Sequence, residues 1–328
     1  MIWAAHWIKR SEAEGYMIQI DLITGFLGAG KTTFLRKYVK YYTDQGLRVG
    51  ILENDFGAVN VDMLLLQDLR SENCEIEMVI GGDRDCHYRR LKTKLISMSM
   101  TGYDRIIMEP SGIFDMDEFY DVLREEPLER WYDIGNIIAV MDAKMPQHLS
   151  KAGEYVMASQ LANAGAIIFS KMDLASGEDV KRSYEFLDKV TEEYNTRKNL
   201  RDLVIAKNMD DYDKEDFANI SQAGYQLSNY VKKVLLAEKA YMTVYLLNHG
   251  LSQKNIEAKV AGLFDHESFG EIYRIKGFYG NDDEGWYQLN ATRDEIDVAP
   301  IKVGQEVIII IGNDLDEDKI KAYMERSL

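Results

Sequence analysis

The chain has 328 residues, enough for one large α/β domain and a smaller companion, and 46% hydrophobic content supports packed cores and excludes a disordered protein. A formal charge of −16 repels phosphate backbones and anionic membrane surfaces, so neither nucleic acid nor a membrane is expected as a partner. Cys74 and Cys86 are the only cysteines, too few for a disulfide framework, and no apolar run reaches the roughly 20 residues of a membrane helix, so a soluble cytoplasmic protein is expected.

Residues 1–16 read as an N-terminal extension. Ile2, Trp3 and Trp7 precede Lys9 and Arg10, the reverse of a secretory signal's order. Glu14-Gly15 must be encoded by a purine run resembling a ribosome-binding sequence a few bases before the Met17 codon. Translation is therefore expected to start at Met17, which the intact mass of natively expressed protein would check.

A β-branched apolar strand is expected over 17–24. It runs into Gly25-Phe-Leu-Gly28-Ala29-Gly30-Lys31-Thr32-Thr33, which fills the pattern G-x-x-x-x-G-K-[ST], and helical spacing follows over 34–42. Glycines let the backbone curl so that successive N–H groups face phosphate oxygens, and the helix N-terminus adds its positive dipole end. Lys31 would reach the β and γ phosphates and Thr32 would ligate Mg²⁺. The alternative is a glycine-rich turn without a ligand, which the strand and helix flanks argue against.

A second strand over 47–53 ends in Glu53-Asn54-Asp55-Phe56-Gly57, where Asp55 could reach Mg²⁺ or its water shell; a plain Asx turn explains the same letters. A third strand over 75–80 precedes Gly81-Gly82-Asp83-Arg84-Asp85-Cys86-His87, then a helix over 87–100. Asp83, Asp85, Cys86 and His87 offer two oxygen donors, a sulfur and an imidazole, a mixed set that Zn²⁺, Co²⁺, Ni²⁺ or Fe²⁺ accepts. Two protomers meeting at this loop, as a homodimer, would pool ligands that one extended segment splays apart. The alternative is a polar loop whose Arg84, Arg89 and Arg90 neutralise the carboxylates.

A fourth strand over 105–108 ends in Glu109-Pro-Ser-Gly112. A strand-end carboxylate beside a phosphate loop holds Mg²⁺, and the glycine amide three residues on can sense a γ-phosphate. Strands over 136–141 and 166–170 follow, the latter ending in Ser170-Lys171-Met172-Asp173. Asp173 there can accept both guanine N1 and N2 hydrogens, and Lys171 can lay its stem over the base. A helix is expected over 181–194. Met98, Met100, Tyr41 and Tyr42 fall at helical spacings and read as core.

Strands alternating with helices predict the α/β class: a P-loop NTPase with a mainly parallel sheet flanked by helices, over residues 17–205. The acidic stretch within 206–240 reads as a solvated connection followed by a linker helix over 217–240. Residues 241–328 read as a small α+β domain with strands over 241–247, 272–279, 286–291 and 306–311 and helices over 253–264 and 316–326.

Taken together, the phosphate loop, Glu53-Asn-Asp-Phe-Gly57 with Asp62, Glu109-Pro-Ser-Gly112 and Ser170-Lys-Met-Asp173 resemble the CobW-type GTPases, relatives of the nickel-insertion GTPases HypB and UreG. Tyr273-Arg-Ile-Lys-Gly-Phe278 and Glu306-Val-Ile-Ile-Ile-Ile-Gly312 are similar to the CobW C-terminal domain, so the resemblance runs from Met17 onward. It implies a GTP-hydrolysing, Mg²⁺-dependent metallochaperone that delivers or inserts a metal at a client metalloprotein or cofactor. Where that family carries a Cys-x-Cys-Cys element, two of three thiolates are replaced here by carboxylates. Two other readings stand beside it: a GTPase that activates a cofactor-dependent enzyme without carrying metal, and a nucleotide-dependent binding module.

Overall fold

The first strand is buried on both sides. In β1 (Ile18–Thr24), Ile18, Ile20 and Leu22 enter one core while Ile23 enters the other beside the buried Asp21, as expected of a central parallel strand covered on both faces. The computed structural model describes residues 17–55, 66–80, 84–112, 114, 116–144, 151–226, 242–247, 253–281, 285–293, 295–301, 304 and 306–325, and the chain divides into two units, Met1–Val231 and Lys232–Leu328. Residues 1–16, Asp62, Asp83 and most of the 217–240 stretch lie outside the described residues.

The first unit is built on β1 together with β2 (Val49–Asp55), β3 (Cys74–Ile80), β4 (Arg105–Pro110), β5 (Tyr132–Asp142), β6 (Ala166–Ser170) and β7 (Val204–Ile205). Their spatial order is β3-β2-β4-β1-β5-β6-β7, and every recorded pairing is parallel. Chain order reverses on either side of β1, so a crevice opens at its carboxyl end, where α/β sheets bind ligands.

Helix α1 (Lys31–Thr43) buries Phe34, Leu35, Tyr38, Val39 and Tyr42, an i, i+1, i+4, i+5, i+8 stripe that lies on Ile23, Ile51, Ile107 and Ile138. Each such burial stabilises by about 1.5–3 kcal/mol relative to exposure. The opposite face is covered from α2 (Arg84–Ser99) and α3 (Met116–Arg124), through Leu91, Leu95, Phe119 and Leu123 against Ile20, Leu22, Leu52 and Met108. Helices α4 (Lys151–Asn163) and α5 (Gly177–Glu193) complete the layers, α5 starting with a reciprocal cap between Ser176 and Asp179. Met98 and Tyr42 are core residues as expected, but Met100 follows the end of α2 and is half exposed, because helical periodicity no longer applies there.

The acidic stretch is exposed to solvent as expected, but it is folded into a capped helix rather than left irregular. Asp213 caps α6 (Lys214–Ile220), accepting from Glu215 N and Asp216 N, while Asp216 accepts from Asp213 N and from Lys207. Clustered carboxylates here are a capping box, and they fold Phe217 and Ile220 into the α1 core. The helix ends at Ile220, and Gly224 at φ 66° turns the chain so that Gln226 N donates to Asn163 O. A helix running continuously from 217 is therefore replaced by a short one.

The second unit is a five-stranded antiparallel sheet, β8 (Met242–Leu247), β9 (Glu271–Asn281), β10 (Gly285–Ala291), β11 (Ile296–Ile301) and β12 (Val307–Asn313), ordered β11-β10-β9-β12-β8. Helices α7 (Gln253–Asp265) and α8 (Glu317–Glu325) contribute Ile256, Val260, Leu263 and Ile320 to one core with Val244, Ile275, Leu289 and Ile310. Strand β11 was not foreseen. It carries Pro300, which lacks an N–H and is tolerated because β11 is the outermost strand.

Candidate nucleotide site

Gly25 leaves β1 at φ 145°, and a Cβ on it would stand 2.1 Å from Val140 O of β5, so only glycine lets the loop turn this close to the sheet. Gly28 and Gly30 also take positive φ, and Ala29 N closes the loop on Phe26 O at 3.2 Å. Gly30 precedes α1 without a side-chain cap, and no acid sits in the first turn, so the helix amides face the cradle without an internal competitor. Loop and helix amides at the positive end of a helix suit a polyphosphate.

Lys31 is 6% exposed, with Nζ donating to Gly25 O at 3.1 Å across the loop. Thr32 Oγ1 donates to Glu109 Oε1 at 2.9 Å, while Thr33 is exposed on the outer side of the turn. Glu53 and Glu109 are register partners on β2 and β4 and both are buried, so two carboxylates share one face on strands about 4.8 Å apart. Adjacent buried carboxylates call for cationic charge between or beside them. A hydroxyl and a carboxylate side by side, as Thr32 and Glu109 are, are the hard oxygen donors that Mg²⁺ takes alongside phosphate oxygens. The residues present therefore fit Mg²⁺. The side chain of Asp55, the other expected Mg²⁺ contact, lies outside the described residues.

Gly112 follows β4, with Ser111 N donating to Asn54 O at 2.8 Å, which ties this segment to the end of β2. Ser170 and Lys171 leave β6 next to the loop: a Cβ on Gly30 would lie 3.5 Å from Ser170 Cβ, and Ser170 Oγ donates to Met141 O at 3.3 Å. Lys171 takes φ 52°, unusual for a side-chain-bearing residue, and its ammonium lies 2.9 Å from Asp142 Oδ2. Asp142 Oδ1 in turn accepts from Lys144 N at 2.8 Å. Asp173 is exposed. Asp142 was not singled out in the sequence, although its place at the carboxyl end of a central strand is the same signal that marked Glu109.

Of the expected cargo set, only the side chain of His87 lies within the described residues. Asp83 and the side chains of Asp85 and Cys86 lie outside the described residues, while the main chain from Arg84 onward is already helical, three residues before the expected helix start. His87 is fully buried rather than facing a loop, with Nδ1 3.5 Å from Glu118 Oε1 of α3. Among the described residues, no three His, Cys, Asp or Glu side chains stand close enough to hold an ion. No helix among them is long and apolar enough to cross a membrane.

A parallel sheet that reverses strand order at a glycine cradle, with a lysine and a threonine opening the next helix and a carboxylate hydrogen-bonded to that threonine, defines a P-loop NTPase. The family model for the CobW/HypB/UreG nucleotide-binding domain matches residues 19–199, and the chain belongs to this family of P-loop GTPases. It is similar to zinc-regulated GTPase metalloprotein activator 1 of Schizosaccharomyces pombe, 24% identical over 321 residues that cover 87% of this chain and 77% of that one. It is also 29% identical over 164 residues to the zinc chaperone YeiR of Escherichia coli, covering 49% of each chain, so about half of that relative is spanned. The crystal structure of Zn(II)-bound YjiA GTPase from E. coli aligns with a TM-score of 0.41 at 19% identity, covering 95% of this chain and 99% of that one.

Proposed function

We propose that the protein is a Mg²⁺-dependent GTPase whose hydrolysis cycle delivers a transition metal to a client metalloprotein or cofactor-dependent enzyme. The observation that carries the hydrolytic half is the Thr32–Glu109 hydrogen bond at the mouth of the cradle, beside Lys31. In this reading the amides of residues 28–33 grip the α and β phosphates and Lys31 neutralises the β and γ oxygens. Thr32 and Glu109 hold Mg²⁺, which supplies further positive charge on the triphosphate when bound. Gly112 senses the γ-phosphate. Asp173 accepts the guanine N1 and N2 hydrogens, and Lys171, held by Asp142, lies over the base. With reactants fixed by so many groups, catalysis is positional and electrostatic.

Zinc is the favoured cargo, supported by the names of the relatives above. The segment 83–87 is the proposed carrier. A second reading, activation of a client without metal carriage, is favoured by the burial of His87 against Glu118, which turns one of four expected ligands inward. Elemental analysis of protein purified without chelators separates the two. About one equivalent of zinc per chain, retained in one nucleotide state and released in the other, is expected if cargo is carried. No divalent site tighter than that for Mg²⁺ in either the GTP or the GDP state would reject metal carriage.

A further inference from the structure

The segment that senses the γ-phosphate is gripped from behind by a side chain outside every motif of the sequence. Gln160, in α4, is fully buried, and its Nε2 donates to Gly112 O at 3.1 Å. A backbone carbonyl can only accept, so the amide nitrogen must face it and the orientation of the side chain is fixed. The other amide atom, Oε1, is then left inside the protein with no hydrogen-bond partner among the described residues. An apolar side chain of equal size would avoid that orphan acceptor. Gln160 makes sense only if the bond to Gly112 O does something that packing alone does not.

Gly112 is also pinned from the front. A Cβ on it would stand 2.8 Å from Leu27 N and 3.0 Å from Leu27 Cα, so the glycine lies directly on the backbone of the phosphate loop. It is thus wedged between residue 27 of the cradle and Gln160 of α4. The two contacts have different natures. Leu27 limits how far the segment can advance, whereas the hydrogen bond holds the Gly112 carbonyl in one direction.

The geometry points to Gln160 as a positioning residue that holds Gly112 in register with the γ-phosphate, and so sets how well the protein tells GTP from GDP. This rests on the reading that Gly112 senses the γ-phosphate. Because Gly112 would meet only the third phosphate, losing the Gln160 bond should weaken triphosphate binding and turnover while leaving diphosphate binding alone. A residue that merely supported the fold would weaken both.

The test compares Gln160→Met, of similar length without amide atoms, and Gln160→Glu, of similar size but unable to donate when ionised, with Gly112→Ala as reference. Affinities for GDP and for the slowly hydrolysed GTPγS are measured at saturating Mg²⁺, with kcat for GTP and the melting temperature of the GDP-bound protein. For Gln160→Met, GTPγS affinity is expected to fall about three- to tenfold, the reach of one buried neutral hydrogen bond, and Gln160→Glu should show that loss only at pH high enough to ionise its buried carboxyl, since the protonated form can still donate. GDP affinity should change less than about twofold on the same arithmetic, and melting of the GDP state should be unaltered in Gln160→Met, which also removes the orphan oxygen. Equal losses for both nucleotides, or no loss of GTPγS affinity in either Gln160 variant while Gly112→Ala loses it selectively, would overturn the role of Gln160 alone. Should Gly112→Ala itself fail to discriminate between the nucleotides, the reading of Gly112 falls and this assignment with it.

Discussion

Lys31→Ala is expected to lower GTP turnover at least a hundredfold, about the loss that follows removal of one preorganised charge-stabilising donor, and more where that donor is a full charge. The ammonium is nearly buried and already spans the loop to Gly25 O, so its position is set before nucleotide arrives and little reorganisation accompanies reaction. Binding of GDP should decline less than turnover, because the curled amides and the N-terminus of α1 remain in place without the side chain. The measurement is steady-state phosphate release alongside GDP affinity. Undiminished release would show that hydrolysis takes place elsewhere.

The parts of this site that lie within one strand-loop-helix unit are legible in the residues themselves. Gly25 to Thr33 encode the cradle because glycine, lysine and threonine at fixed offsets leave the chain few other conformations between a β-branched strand and an amphipathic helix. Glu109 is legible because an apolar run ending in a carboxylate can be recognised as a strand end. Asp142 carries the same signature, yet its partner Lys171 comes from another strand, and only the neighbouring positions of β5 and β6 bring them within 2.9 Å. Gln160 has no local signature at all. It lies mid-helix 48 positions after the glycine it holds, and only the packing of α4 relates the two.

The errors in the fold have similar causes. Asp213 and Asp216 read as solvated charge because composition counts carboxylates without asking whether backbone N–H groups need them; here they satisfy the first turn of α6. Strand β11 carries Pro300, which argues against a strand only if that strand has neighbours on both sides. His87 reads as a ligand from its neighbours in sequence, which say nothing of its burial. The three-dimensional neighbour that governs it, Glu118, comes from α3.

The largest effect on stability is expected away from the nucleotide, at Arg105. Asp21 is fully buried in β1, and its Oδ1 accepts from Arg105 Nη1 at 2.5 Å and Asn136 N at 2.8 Å, while Oδ2 accepts from the Tyr38 hydroxyl at 2.9 Å. Asn136 extends the network by donating to Ser221 O and accepting from Gly224 N, which secures the turn after α6. The Arg105 guanidinium also lies 4.6 Å from the Tyr42 ring centroid. Arg105→Met keeps much of the stem but leaves the carboxylate without its counter-charge, and breaking such a pair costs about 3–5 kcal/mol. Burial pushes the Asp21 carboxyl above its ordinary range, and Arg105 and the hydrogen bonds pull it back. Without Arg105 the folded-state value rises further above the unfolded one. The neutral form then supports the fold at acid pH, and that support is lost as pH climbs through the folded value. The deficit of Arg105→Met should therefore be greatest near neutrality and shrink toward acid, and Asp21→Asn in the same chain should recover part of it. Urea unfolding of the variants across pH provides the measurement. A deficit below about 1 kcal/mol, the range of an exposed ion pair, or one that does not change with pH, would mean that the Asp21–Arg105 pair is not what holds β1, β4 and α1 together.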